Sequence, residues 1–190
     1  MNRLLYIAFC AVLLIGCSKT DSNDDVEFLK ENFHGKYKLI SSTSEKAVDL
    51  NMDGYSSTDL LSENPIISES ELEIRIYDVN SNLFEEKWTM ENSQIPRDEV
   101  YDPNRVYSTD GLNYAKYINF FPFEFNENFK SIKLLTEVYK DNVNTLIGIE
   151  SVIMEEKGFI KVTTTRKLYT KVGWIATQIE SRYKRYSKVT

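Results

Sequence analysis

Three long segments toward the C-terminus, residues 145–155, 159–170 and 174–186, alternate apolar and polar side chains and are parted only by Glu156-Lys157-Gly158 and Lys171-Val172-Gly173. Period-two alternation marks strands with one face toward a core. Links this short force consecutive strands to run antiparallel. The rest of the chain must therefore supply strands that pair with this block. Leu72, Ile74 and Ile76 alternate with Glu71, Glu73 and Arg75, and residues 37–44, 84–90, 114–121 and 131–138 have strand character as well. Twelve Tyr and ten Phe against seven Gly agree with an all-β chain, because aromatic rings pack well on half-buried pleated surfaces. About eight antiparallel strands in simple up-and-down succession can close into a barrel, which removes exposed edges. A two-sheet sandwich is the competing arrangement. Residues 92–110, with Pro96, Asp102 and Pro103, have no period and read as a long loop, a candidate lid.

Register sets what such a barrel contains. If Ile160, Val162 and Leu168 point inward, Thr164 and Arg166 point inward with them. In the last strand Ile175, Ile179 and Tyr183 share a face with Thr177, Ser181 and Arg185. An arginine placed there needs carboxylates, hydroxyls or water beside it. The expected interior is mixed, better suited to a small polar-headed ligand or a packed, hydrogen-bonded core than to a long apolar chain.

The N-terminus reads as a processing signal. Asn2-Arg3 gives a positive start, followed by a twelve-residue apolar run at 4–15. As a helix the run spans roughly 18 Å, too short for a hydrocarbon core of about 30 Å, so it is the centre of a secretory signal. Leu14-Ile15-Gly16-Cys17 resembles the bacterial lipobox, which implies cleavage before Cys17 and lipid attachment to its sulfur. Residues 1–16 are then a signal peptide, 17–25 a lipidated flexible tether and 26–190 one domain. Cleavage also removes Cys10, leaving no pair of cysteines for a disulfide. The polar, acidic stretch after Cys17 is similar to that of surface lipoproteins of Bacteroidetes-type bacteria, although composition alone also allows a plain linker. The resemblance implies an outer-membrane lipoprotein, facing the periplasm or exposed on the cell surface.

Asp24 or Asp25 is placed to cap a short helix carrying Val26, Phe28, Leu29, Asn32 and Phe33, with Gly35 as its stop. Phe33-His34-Gly35-Lys36-Tyr37 resembles the opening of the lipocalins, in which a short helix leads into Gly-x-Trp at the start of the first strand; Tyr37 stands where that family has Trp. The resemblance implies a lipocalin-like barrel, a small-ligand carrier, and an arginine of the last strand packed over the aromatic ring. Arg182 and Arg185 both qualify for that role.

Directly after the first strand lies Asp49-Leu50-Asn51-Met52-Asp53-Gly54-Tyr55, with Ser57 and Asp59 following. Oxygen side chains at positions 1, 3 and 5 and glycine at position 6 form the front half of a Ca2+ loop. The Tyr55 carbonyl, Ser57 and Asp59 are the remaining candidate ligands. Leu60 holds position 12, where such loops close with a carboxylate, and Asp59 comes one residue early. A plain turn uses the same residue types. Dockerin loops are similar, but they come in pairs with a carboxylate at position 12, so a cohesin-binding role is not expected. The expected ion is structural. Residues 59–63 read as one or two helical turns before Pro65.

Other chemistry is sparse. A formal charge of -6 argues against nucleic acid as a partner. His34 is the one histidine, too few partners for a zinc site or a nucleophilic triad. Gly-x-Ser-x-Gly, phosphate-loop and His-Glu-x-x-His motifs are missing. Glu85/Glu86 and Glu155/Glu156 are adjacent pairs, and neighbours in a strand point to opposite faces. The Phe120-Phe121-Pro122-Phe123-Glu124-Phe125 run is expected to be core packing at a strand end, and Arg182-Tyr183-Lys184-Arg185-Tyr186 an alternating strand. No enzyme is expected. Two classes remain: a small-molecule carrier, or a structural or accessory surface module with a filled barrel whose outside meets a protein or glycan.

Overall fold

The computed structural model describes residues 22–79, 81–91, 114–126, 128–135 and 147–190. The expected signal peptide and Cys17 lie outside these residues, as do 92–110 and the distal part of 131–138. The elements are α1 (Ser22–Phe33), β1 (Gly35–Val48), β2 (Ser57–Asp59), α2 (Leu60–Glu63), a 3-10 turn (Pro65–Glu69), β3 (Glu71–Ile76), β4 (Asn82–Glu91), β5 (Tyr114–Phe125), β6 (Ser131–Leu134), β7 (Ile147–Glu155), a second 3-10 turn (Glu156–Gly158), β8 (Phe159–Thr170) and β9 (Gly173–Ser187). β1 and β3 to β9 pair in sequence, all antiparallel, and β9 returns to β1. That last pairing closes an eight-stranded barrel and rules out the sandwich. β2 is an additional three-residue strand on the distal half of β1.

Burial follows the alternation read from the sequence. In β8, Ile160, Val162, Thr164, Arg166 and Leu168 are buried, and in β9 so are Thr177, Ile179, Ser181 and Tyr183. Ile175 and Arg185 are half-buried near the strand ends. The aromatic run of β5 also alternates: Phe121 and Phe123 enter the core, while Phe120 is exposed. Pro122 is tolerated inside this strand for a geometric reason. Its carbonyl accepts from Leu135 N at 2.8 Å, so its missing N–H faces the β6 side, beyond the last residue of β6, and the ladder to β4 is unaffected.

One end of the barrel is closed by α1. Leu29 is in the core and Phe33 packs against it, with Phe33 5.2 Å from Phe125 and Phe28 5.8 Å from Phe129 between ring centroids. The helix begins at Ser22, ahead of the expected cap, so Asp24 and Asp25 occupy its first turn, where the helix dipole favours them. Tyr37 is buried at the start of β1 and its hydroxyl donates to Phe33 O at 2.6 Å. Of the two candidate arginines, Arg185 is the one opposite Tyr37, and its Nη1 donates to Glu31 O at 2.9 Å, satisfying a carbonyl at the helix end. Arg182 points outward, over Phe159 and bonded to Glu155. Gly35 is required where β1 meets β9, since a Cβ there would fall 2.1 Å from Ser187 O. His34 joins the same junction: its Nδ1 accepts from Ile76 N at 3.0 Å and its Nε2 lies 3.1 Å from Thr190 Oγ1.

At the other end, β2, α2 and the first 3-10 turn stand beside the distal halves of β1 and β4. Ser70 stitches them in, its carbonyl accepting from Leu39 N and its hydroxyl from Thr89 N. Among the described residues no helix is long and apolar enough to cross a membrane.

Candidate functional site

The rim loop after β1 has the turn that its sequence implies. Gly54 adopts φ +93, a conformation that costs other residues heavily. Its N–H donates to Asp49 Oδ2 at 2.9 Å, Asp53 N to Asn51 Oδ1 at 3.0 Å, and Tyr55 N to Asp53 Oδ1 at 2.8 Å. Asp49, Asn51 and Asp53 thus organise one loop with their own oxygens. Ser57 and Asp59 do something else: Asp59 N donates to Ser57 Oγ, and Asp59 Oδ1 caps α2 by accepting from Leu61 N at 3.0 Å. Sequence reasoning missed Glu63, a buried carboxylate whose Oε2 accepts from Leu50 N at 3.0 Å.

Among the described residues no three Asp, Glu, His or Cys side chains stand together as a finished metal site. The donor chemistry nevertheless fits a hard cation, being all oxygen. Asp49 Oδ1 is shut off from solvent and has no hydrogen-bond partner, which is the state expected of an oxygen reserved for an ion. Asp49, Asn51, Asp53 and the Tyr55 carbonyl are the residues that would hold one.

The barrel interior has its own polar centre. Arg166 of β8 is 1% exposed and faces Glu86 of β4, which is 0% exposed. Its Nη2 donates to both Glu86 oxygens at 2.8 Å, and its Nε to Thr164 Oγ1 at 3.1 Å. The guanidinium lies 4.1 Å from the centre of the Trp88 ring, a cation–π arrangement. Tyr183 from β9 donates its hydroxyl to Glu86 Oε1 at 3.2 Å. Burial, with the Glu86 charge second, pushes the Tyr183 hydroxyl well above its usual pKa. Because β5, β6 and β7 separate β4 from β8 in the sheet, this ion pair spans the lumen. Glu85, by contrast, faces outward to Arg75 and Lys87, so the adjacent carboxylates do not converge. Glu86 was legible all along as the middle of the inward Phe84-x-Glu86-x-Trp88 set.

A groove of about 550 Å³ lies outside the closed end, lined by Phe28, Asn32, Phe129, Lys130, Met154 and Glu156 among others. A smaller cleft of about 300 Å³ opens where β6 and β7 diverge, beside Ile132, Ile149 and Glu150.

No protein-family profile matches the chain, and no curated protein matches it. Among solved structures it aligns with the siderocalin Ex-FABP, described as functioning through dual ligand specificities, at 11% identity and a TM-score of 0.33 over 82% of this chain and 71% of that one. Agreement that low carries no argument about ligand or family. The barrel stands on its own strand pairing.

Proposed function

We propose that this chain is an exported, lipid-anchored surface module whose lipocalin-like barrel is a calcium-stabilised scaffold, with recognition on its outside. One observation carries the reading: the Glu86–Arg166 pair, with Trp88 and Tyr183 around it, occupies the lumen where a carrier would hold its cargo. A site for a drug-sized ligand needs roughly 300–1,000 Å³ of largely apolar room. At the level of Arg166 that room is taken by side chains that water itself does not reach. The lipobox resemblance at Cys17 supports anchoring to the outer membrane, facing the periplasm or the cell exterior. Partners are then surface proteins or glycans.

Titrating the purified protein with a fluorescent long-chain fatty acid tests the scaffold. No saturable binding is expected; submicromolar, one-to-one binding would restore the lipid carrier. A second reading, a small polar-headed ligand inside the barrel, is favoured by two buried donors without acceptors, Arg166 Nη1 and Asn119 Nδ2. Asn119 is the β5 neighbour of Glu86. Native mass spectrometry separates the two, since a co-purified molecule released on unfolding supports the second.

A further inference from the structure

We propose that Glu63, rather than Asp59, is the carboxylate that closes the cation site of the 49–54 loop. This rests on the calcium reading above. Asp59 opens α2, and its Oδ1 is committed to Leu61 N. Leu60, the residue at position 12, is fully buried and apolar. One helical turn beyond Asp59, Glu63 is 6% exposed and reaches back to the N–H of Leu50, the residue next to Asp49.

The spacing has a structural cause. β2, Ser57–Asp59, occupies positions 9–11, so α2 starts only at position 12 with Leu60. The carboxylate within that helix, Glu63, therefore stands at position 15, about one helical turn further on.

The charge balance points the same way. Among the described residues, none of the ion pairs involves Asp49 or Glu63. A buried carboxylate without a counter-charge is costly. Asp49 Oδ1 adds an oxygen sealed from water with no donor. The two carboxylates, each holding one backbone N–H but no cation, meet the Asp49–Leu50 peptide from either side, beside a loop whose oxygens already alternate. Calcium accepts six to eight oxygens in a tolerant geometry, at about 2.3–2.6 Å. Asp49, Asn51, Asp53 and the Tyr55 carbonyl offer one side of that shell, and a carboxylate swung from Leu50 N toward the loop supplies the other.

Calorimetric titration of chelator-treated protein with CaCl2 tests this, using Asp49→Asn, Asp59→Asn and Glu63→Gln. Wild type and Asp59→Asn should bind alike, Asp49→Asn should lose binding, and Glu63→Gln should weaken it about tenfold or more, as loss of a charged ligand does. Should Glu63→Gln fail to fold, the side-chain carboxyl carbon resonance of Glu63 in the wild type gives the answer, because a carboxylate that takes up calcium must shift as the loop saturates. Wild-type affinity in Glu63→Gln, loss of binding in Asp59→Asn, or a stationary Glu63 carboxyl resonance during saturable binding would overturn the role of Glu63 and leave the calcium loop standing. No heat and no Glu63 shift at ten-millimolar calcium would overturn both.

Discussion

Arg166 is held where water cannot solvate it, so its stability depends wholly on what it touches. Replacing it by Met would leave Glu86 buried and unpaired, a loss of about 3–5 kcal/mol. Changing Glu86→Gln as well should return much of that loss, because a well-packed neutral pair forgoes both desolvation penalties. A double-mutant cycle by urea unfolding measures the difference; additive effects would mean that the two side chains act separately. Two buried tyrosines make a second expectation. Burial lifts Tyr37 to about 12, against the opposing Arg185 charge, and Tyr183 is also raised. A raised folded-state pKa contributes stability that is complete below the unfolded value near 10 and is lost as pH climbs toward the folded one. The free energy of unfolding should therefore fall between about pH 10 and 12, by about 1.4 kcal/mol per pH unit for each tyrosine that titrates only on unfolding, read as a falling thermal midpoint. Tyr37→Phe should flatten part of that slope. His34, its pKa lowered chiefly by burial and next by Lys30, acts at the other limb, where stability is lost as the pH falls below its ordinary value.

Among the elements, regular strands were legible and interruptions were not. β8 and β9 run as their alternation says because each buries a full face. β1 extends to Val48 because β9 continues alongside its first part and β2 pairs at its end, and such pairing leaves no local mark in the sequence. β2 has only three residues, too few to show a period. That omission hid Glu63, whereas Asp49, Asn51, Asp53 and Gly54 were visible because their turn chemistry is local. Calcium in millimolar amounts should raise the thermal midpoint by mass action, with a dissociation constant on the order of 10⁻⁴–10⁻³ M. Asp49→Ala and Asp53→Ala should each abolish the rise; an unchanged wild-type midpoint with and without chelator would reduce the loop to a turn. Gly35→Ala places a methyl against Ser187 O and should cost at least about 2 kcal/mol, seen as a lowered urea midpoint.

At the scale of the whole molecule, closure by β9 onto β1 makes the two ends unlike. α1 adjoins the start of β1, and the Asp49–Asp53 loop adjoins its finish. Cys17→Ala should abolish incorporation of labelled fatty acid and release the protein from membranes; a variant that still carried label would remove the anchor from the proposal. With lipid on Cys17, only residues 18–21 separate the bilayer from Ser22. The five steps from Cys17 to Ser22 reach about 18 Å at most, so on that anchor the end that α1 closes would lie near the headgroups. β1 has 14 residues. At ~3.3 Å each and a tilt of about 40° they rise roughly 35 Å. The Debye length at physiological ionic strength is about 8 Å. On the proposed anchor the rim loop would be held several screening lengths above the membrane, where the ion concentration it met would be that of the bulk medium and would owe nothing to the charge of the lipids below.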